Sequence, residues 1–174
     1  MKKLILAILV SIGLTSCVDS SDLKRVAGIP PSFTKQDFIG KWYCESSYST
    51  WGAMTKEYYI FKPNGILENE GEMVVTNPNG AGELKYKYSV NAKWDLNGWD
   101  LVQVQTAKPK FKRMFDAKTK ELLKKDEEFR LLDLGMEKLI FGQQQSASRS
   151  IVSVTPTEFT TKFNTSYEIC SKVN

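Results

Sequence analysis

From Leu84 to Trp94 the chain alternates without interruption. Leu84, Tyr86, Tyr88, Val90, Ala92 and Trp94 share one parity, and Lys85, Lys87, Ser89, Asn91 and Lys93 the other. A helix repeats its faces about every 3.6 residues, so this period of two describes a long antiparallel strand with one wet side. The runs Pro63-Asn64-Gly65, Asn77-Pro78-Asn79-Gly80 and Asp95-Leu96-Asn97-Gly98 each place glycine where a positive φ costs little, which predicts hairpin turns. Strands are therefore expected over residues 39–47, 56–62, 66–75, 83–94, 99–106, 149–154, 158–163 and 166–173. Short strands at hairpin spacing point to a mainly β domain, a small barrel or a sandwich.

Residues 107–145 break the alternation. The stretch KTKELLKKDEE (residues 118–128) has helical propensity without Gly or Pro, and Leu131, Leu132, Leu134, Met136, Leu139 and Ile140 suit a partly buried helix. Phe115-Asp116-Ala117-Lys118-Thr119-Lys120 reads equally well as a hairpin turn, so the insertion is charged, with one or two helices as one of two readings. Gly142-Gln143-Gln144-Gln145-Ser146-Ala147-Ser148 reads as a polar loop.

The amino terminus has the form of an export signal, with Lys2 and Lys3 ahead of a short apolar run, LILAILVSIGL. That run is too short for a membrane span, which takes about 20 apolar residues. Leu14-Thr15-Ser16-Cys17 resembles the lipobox of bacterial lipoproteins. The resemblance implies cleavage before Cys17 and acylation of that cysteine, and stable anchoring indeed takes more than one chain. Val18 rather than Asp follows the cysteine, which in the Gram-negative lipoproteins it resembles implies outer-membrane sorting, facing the periplasm. The expected organisation is a signal peptide at 1–16, an anchor and flexible tether at 17–37, and a barrel domain at 38–174. Residues 18–36, with Ser, Asp, Gly and Pro30-Pro31, suit such a tether.

Lipidation of Cys17 leaves Cys44 and Cys170, and an even pair in an oxidising compartment is expected as a disulfide stapling the first strand to the last segment. Neither lies in a CxxC spacing, which disfavours a redox-active pair. Their parities disagree, since Cys44 goes with the inward Trp42 whereas Cys170 goes with Glu168 and Lys172, both expected outward. A bulge or a tail at Cys170 is expected to reconcile them.

Ile39-Gly40-Lys41-Trp42, then Tyr58-Tyr59-Ile60-Phe61-Lys62-Pro63-Asn64-Gly65, then Ala92-Lys93-Trp94-Asp95-Leu96-Asn97-Gly98-Trp99-Asp100-Leu101 resemble, in order, the GxW strand and two hairpins of bacterial lipocalin-like proteins. Thr155-Pro156-Thr157-Glu158-Phe159 resembles their closing hairpin, and residues 107–145 have no counterpart. The resemblance implies an antiparallel up-and-down β-barrel plugged at one end by Trp42, with a cavity for a small hydrophobic ligand. Independently, the aromatic parity of Trp42, Tyr86, Tyr88 and Trp94, with Tyr58 or Tyr59, Phe61, Phe159 and Phe163, either fills a solid core or lines a cavity.

The chain contains no histidine, which removes Ser-His and Cys-His nucleophiles and histidine-ligated zinc. It has neither a phosphate-cradling glycine loop nor a GxSxG elbow, so no enzyme, cofactor or metal site is expected. Glu68, Glu70 and Glu72 alternate along one strand and read as a solvated face rather than a cation row. Of the formal +4 charge, Lys2 and Lys3 in the signal account for half. Residues 107–130 hold nine cations against five carboxylates, and Lys108, Lys110, Lys112 and Arg113 form a candidate patch for an envelope protein or an anionic envelope polymer. The competing explanation is a lysine-protected edge strand. Nucleic acid is not an expected partner. The leading expectation is an anchored ligand-binding barrel, and its rival an assembly factor or inhibitor working through the basic surface.

Overall fold

The computed structural model describes residues 20–48, 52–77 and 82–174. The expected signal segment, the lipobox-like run with Cys17, and residues 78–80 of the second turn lie outside the described residues. The strands are β1 Gly40–Tyr48, β2 Ala53–Phe61, β3 Ile66–Thr76, β4 Glu83–Asn97, β5 Asp100–Gln105, β6 Lys110–Arg113, β7 Ser146–Val154, β8 Glu158–Phe163 and β9 Ser166–Lys172. Among the described residues each strand pairs antiparallel with the next around a ring, β1-β2-β3-β4-β5-β7-β8-β9, and β9 pairs back onto β1. The domain is thus a closed eight-stranded up-and-down barrel, the form that abolishes sheet edges. β6 pairs with the first half of β4, on the same edge that β5 uses for the second half, so β5 and β6 are two pieces of one wall.

The alternation of β4 is realised as the sequence predicts, with Leu84, Tyr86, Tyr88, Ala92 and Trp94 buried and the lysines between them exposed. Inside, two apolar clusters form. One end is plugged by Phe38, Trp42, Phe61, Trp94, Leu101, Ile151 and Phe159. The Trp42 indole N–H donates to the Phe38 carbonyl at 2.7 Å, and its ring meets Phe159 edge-on at 4.8 Å, satisfying both the polar handle and the ring quadrupole. At the other end Ala53, Val75, Leu84 and Tyr86 pack against the insertion.

That insertion is helical, not a hairpin: α3 Ala117–Lys125, α4 Glu127–Gly135 and a π-helical turn Met136–Phe141. Two aspartates decide the matter locally. The Asp116 carboxylate accepts from the Thr119 N–H at 2.7 Å and that of Asp126 from the Phe129 N–H at 2.9 Å, so each caps the helix that follows. Phe129 is buried, and Phe141 stacks on Phe111 at 4.5 Å, tying the helices to the barrel mouth.

The expected tether also requires correction, because from Ser20 the chain has structure. α1 Ser20–Val26 is held to the barrel wall by Arg25, which donates to the Trp99 carbonyl and the Asp100 carboxylate at 3.1 Å each. The Trp99 indole in turn donates to the Ile29 carbonyl at 3.0 Å. Phe33 packs edge-on against Phe38 and Trp99, and α2 Lys35–Phe38 delivers Phe38 into the plug.

Cys44 and Cys170 are directly opposite in the β1–β9 ladder and form a disulfide, their Cα atoms 4.0 Å apart. Neither bulge nor tail is needed. Cys170 and Glu168 are both inward, each almost fully buried, and the error lies in expecting the glutamate outside. The bridge spans 126 residues at the seam that closes the barrel. Replacing both cysteines by serine is expected to lower the stability to urea by about 2–5 kcal/mol, read from the unfolding midpoint, with the oxidised wild type as reference.

Candidate functional site

Between the two apolar clusters the barrel interior is polar. Glu57 on β2, Asn69 on β3, Tyr88 on β4, Arg149 on β7, Thr161 on β8, and Ser46 and Glu168 on opposite sides of the β1–β9 seam all point inward. They form two linked sets. Glu168 receives Tyr59 Oη at 2.9 Å, Thr161 Oγ1 at 3.1 Å and Ser46 Oγ at 3.3 Å, and pairs with Arg149 Nη1 at 3.0 Å. Every polar oxygen of this carboxylate is satisfied, as a buried charge requires. Glu57 receives the Tyr88 hydroxyl on one oxygen and Asn69 Nδ2 at 3.3 Å on the other, and has no cation of its own.

Gly71 makes the Glu57–Tyr88 meeting possible. It is opposite both residues in the β2–β3 and β3–β4 ladders. A Cβ there would stand 2.8 Å from Glu57 Cγ and 3.2 Å from the Tyr88 ring, so the missing side chain is the gap in which carboxyl and phenol come together.

Burial, then the nearby Glu168 charge, push Glu57 up to about 7, only partly opposed by Arg149. Burial disfavours the Arg149 charge, yet Glu168 and the surrounding phenols outweigh it and hold the guanidinium protonated. The Tyr59 hydroxyl is raised well above its ordinary value by burial and by both carboxylates, so it is a donor at all ordinary pH.

A cavity of about 240 Å³ opens beside this network. Its apolar lining includes Leu67, Met73, Val90, Ala92, Ile140 and Phe141, the last two from the π-helical turn; its polar lining includes Thr55, Glu57, Tyr59, Asn69, Tyr88, Gln103 and Arg149. Ser146 and Phe163 are the exposed members of the lining, which places the opening at the start of β7 and the end of β8. Four of the polar residues keep a buried atom without a hydrogen-bond partner: Thr55 Oγ1, Asn69 Oδ1, Gln103 Nε2 and Arg149 Nε. Such atoms are costly in an apolar interior unless something pairs with them. The volume falls just under the range of about 300–1,000 Å³ that holds drug-sized ligands, and so suits a smaller molecule.

The sequence-expected pocket residues distribute unevenly over this geometry. Tyr88 and Phe163 line the cavity. Trp42, Phe61, Trp94 and Phe159 belong to the plug, and Tyr86 belongs to the cluster under the insertion, where its hydroxyl donates to Asp133 at 2.8 Å. Tyr58 is on the outside, 45% exposed and beside Tyr43; its neighbour Tyr59 is the inward one, because Phe61 fixes the parity of β2. Glu68, Glu70 and Glu72 face away from the interior, Glu68 pairing with Lys62. In the basic group, Lys108, Lys110 and Lys112 are exposed around β6, but Arg113 turns the other way and binds Asp133 at 3.0 Å and Glu137 at 2.7 Å. It ties the helices to the wall and is not part of a free patch.

No protein-family model and no curated protein matches the chain. Among solved structures, the chain is similar to a lipocalin-like protein from Bacteroides uniformis, at 13% identity and a TM-score of 0.42 over 79% of this chain and 99% of that one. An uncharacterized protein from Bacteroides eggerthii is similar at 13% identity and a TM-score of 0.42, over 78% of this chain and 99% of that one.

A carboxyl whose pKa rises on folding binds a proton more tightly in the native state, so its contribution favours folding at low pH and is lost as pH rises through about 7. Comparing urea unfolding at about pH 5.5 and about pH 8.5, wild type is expected to lose about 2 kcal/mol more than Glu57→Gln, which carries no such proton. Parallel pH profiles for the two proteins would show that Glu57 titrates normally.

Proposed function

We propose that the protein is an acylated envelope lipoprotein whose barrel binds a small amphipathic molecule in the interior cavity. The observation that carries the ligand is the set of unpartnered, buried polar atoms in the cavity lining, set among apolar side chains. A solid structural core has no use for these atoms, since replacing them with apolar side chains of similar volume would remove their desolvation cost. A purely hydrophobic cargo, the expectation from the family resemblance, would leave them unpaired, so the ligand is one that brings polar groups of its own. The charged export signal and Leu14-Thr15-Ser16-Cys17 support an anchor at Cys17, on the periplasmic face of the outer membrane.

Two measurements test this. Native mass spectrometry of the protein isolated from its envelope is expected to show a non-covalent adduct of small mass that disappears on denaturation, and Ala147→Phe, which fills the cavity from β7, is expected to abolish it while the circular dichroism spectrum is retained. A bare mass for wild type counts against a bound cargo. Separately, Cys17→Ser is expected to move the protein from the membrane pellet to the soluble fraction, and continued sedimentation with membranes would remove the acyl anchor.

A further inference from the structure

Resting on the ligand-binding reading, we propose that the cavity selects a small organic cation, its ammonium seated against Glu57, Asn69 Oδ1 and Thr55 Oγ1. The first support is charge balance. Three ionisable groups of opposite sign meet in the interior: Glu57 and Glu168 are acidic, and Arg149 is the cation that pairs with Glu168. No other basic side chain is among the lining residues. Ionised, this set carries one uncompensated negative charge, and Glu57 is the carboxylate that lacks a partner cation.

The second support is geometric and independent of titration. Thr55, on the same strand as Glu57, and Asn69, on the adjoining β3, are more than nine-tenths buried, line the cavity, and each leaves an oxygen unpartnered. Asn69 spends its amino group on Glu57, so what it offers the cavity is an acceptor. An ammonium has three donors and no acceptor, which matches a carboxylate flanked by two accepting oxygens. Across the interior, on β5 and β7, the unpartnered atoms are donors, Gln103 Nε2 and Arg149 Nε, and these would take an uncharged oxygen at the far end of the same molecule.

A proton and the ligand cation then compete for one carboxyl. The groups bearing on Glu57 are Tyr59 on its own strand, Tyr88 from β4, Glu168 from β9 and Arg149 from β7, with Tyr48 of β1 acting on Arg149 and Tyr59. The Tyr59 hydroxyl remains a neutral donor and the Arg149 guanidinium remains protonated. Cation affinity should therefore be flat above about pH 7 and fall towards tenfold per pH unit below it.

The test uses three probes of similar size and different charge: tyramine, tyrosol and 4-hydroxyphenylacetate, titrated calorimetrically into the cargo-free full chain. Tyramine is expected to bind at least about tenfold more tightly than either analogue at about pH 8, the scale of a hydrogen-bonded charge. That preference should disappear in Glu57→Gln and shrink at about pH 5.5. Equal or tighter binding of tyrosol or of 4-hydroxyphenylacetate by wild type would overturn the cation inference while leaving a ligand-binding barrel intact. Binding of none of the three would also overturn it, and the envelope-purified adduct then decides the broader reading by itself. Because the probe series is read on wild type, the result stands even if Glu57→Gln unfolds.

Discussion

The β1–β9 pairing is the constraint from which the rest of the molecule follows, since it turns an eight-stranded meander into a closed wall with a defined inside. Once the register sets Cys44 against Cys170, the parity of both strands is fixed, and with it the destination of Trp42, Ser46 and Glu168. The disulfide holds this seam covalently, and restricts the unfolded chain across a span of 126 residues. Closure costs entropy because it joins the two ends of the domain, and the staple removes much of that cost from the unfolded side.

A closed barrel of this size has little room, and this one divides it into layers. Aromatic rings fill one end, the inserted helices cover the other, and the polar groups occupy the space between. A buried ion pair is weak grounds for stability, because its desolvation penalty competes with its Coulomb gain. The Arg149–Glu168 pair, the second carboxyl at Glu57 and the unpartnered atoms around the cavity are better understood as a surface turned inward, shaped for something other than the chain itself. The insertion contributes directly, because its π-helical turn supplies Ile140 and Phe141 to the cavity wall and Arg113 fastens that turn to the barrel. π-Helical geometry of this kind is often found at functional sites.

The strands were legible because each is half-buried, and a half-buried strand writes its two environments into alternate residues. All eight ring strands coincide with sequence-expected ones to within a few residues, and Asp116 and Asp126 could have been recognised as helix caps. The interior polar layer was harder to see. One local signal was the conflict at Cys170: a disulfide cysteine must share its partner's face, so Glu168, two residues away, must share it too. A buried carboxylate then demands a cation, and Arg149, on an alternating strand that also carries the inward Ile151, is the residue that answers. Parity with Phe61 would likewise have chosen Tyr59 over Tyr58 and brought Glu57 inside.

By itself, then, the amino-acid sequence determined the eight ring strands, their hairpin turns and the cysteine pairing, all of which depend on local pattern or on composition. Only the tertiary structure decided which side chains meet across the interior. Glu57, Asn69, Tyr88, Arg149 and Glu168 come from five different strands, and their approach depends on register, on barrel curvature and on the gap left by Gly71. Those are relations between distant parts of the chain, and no window of neighbouring residues contains them.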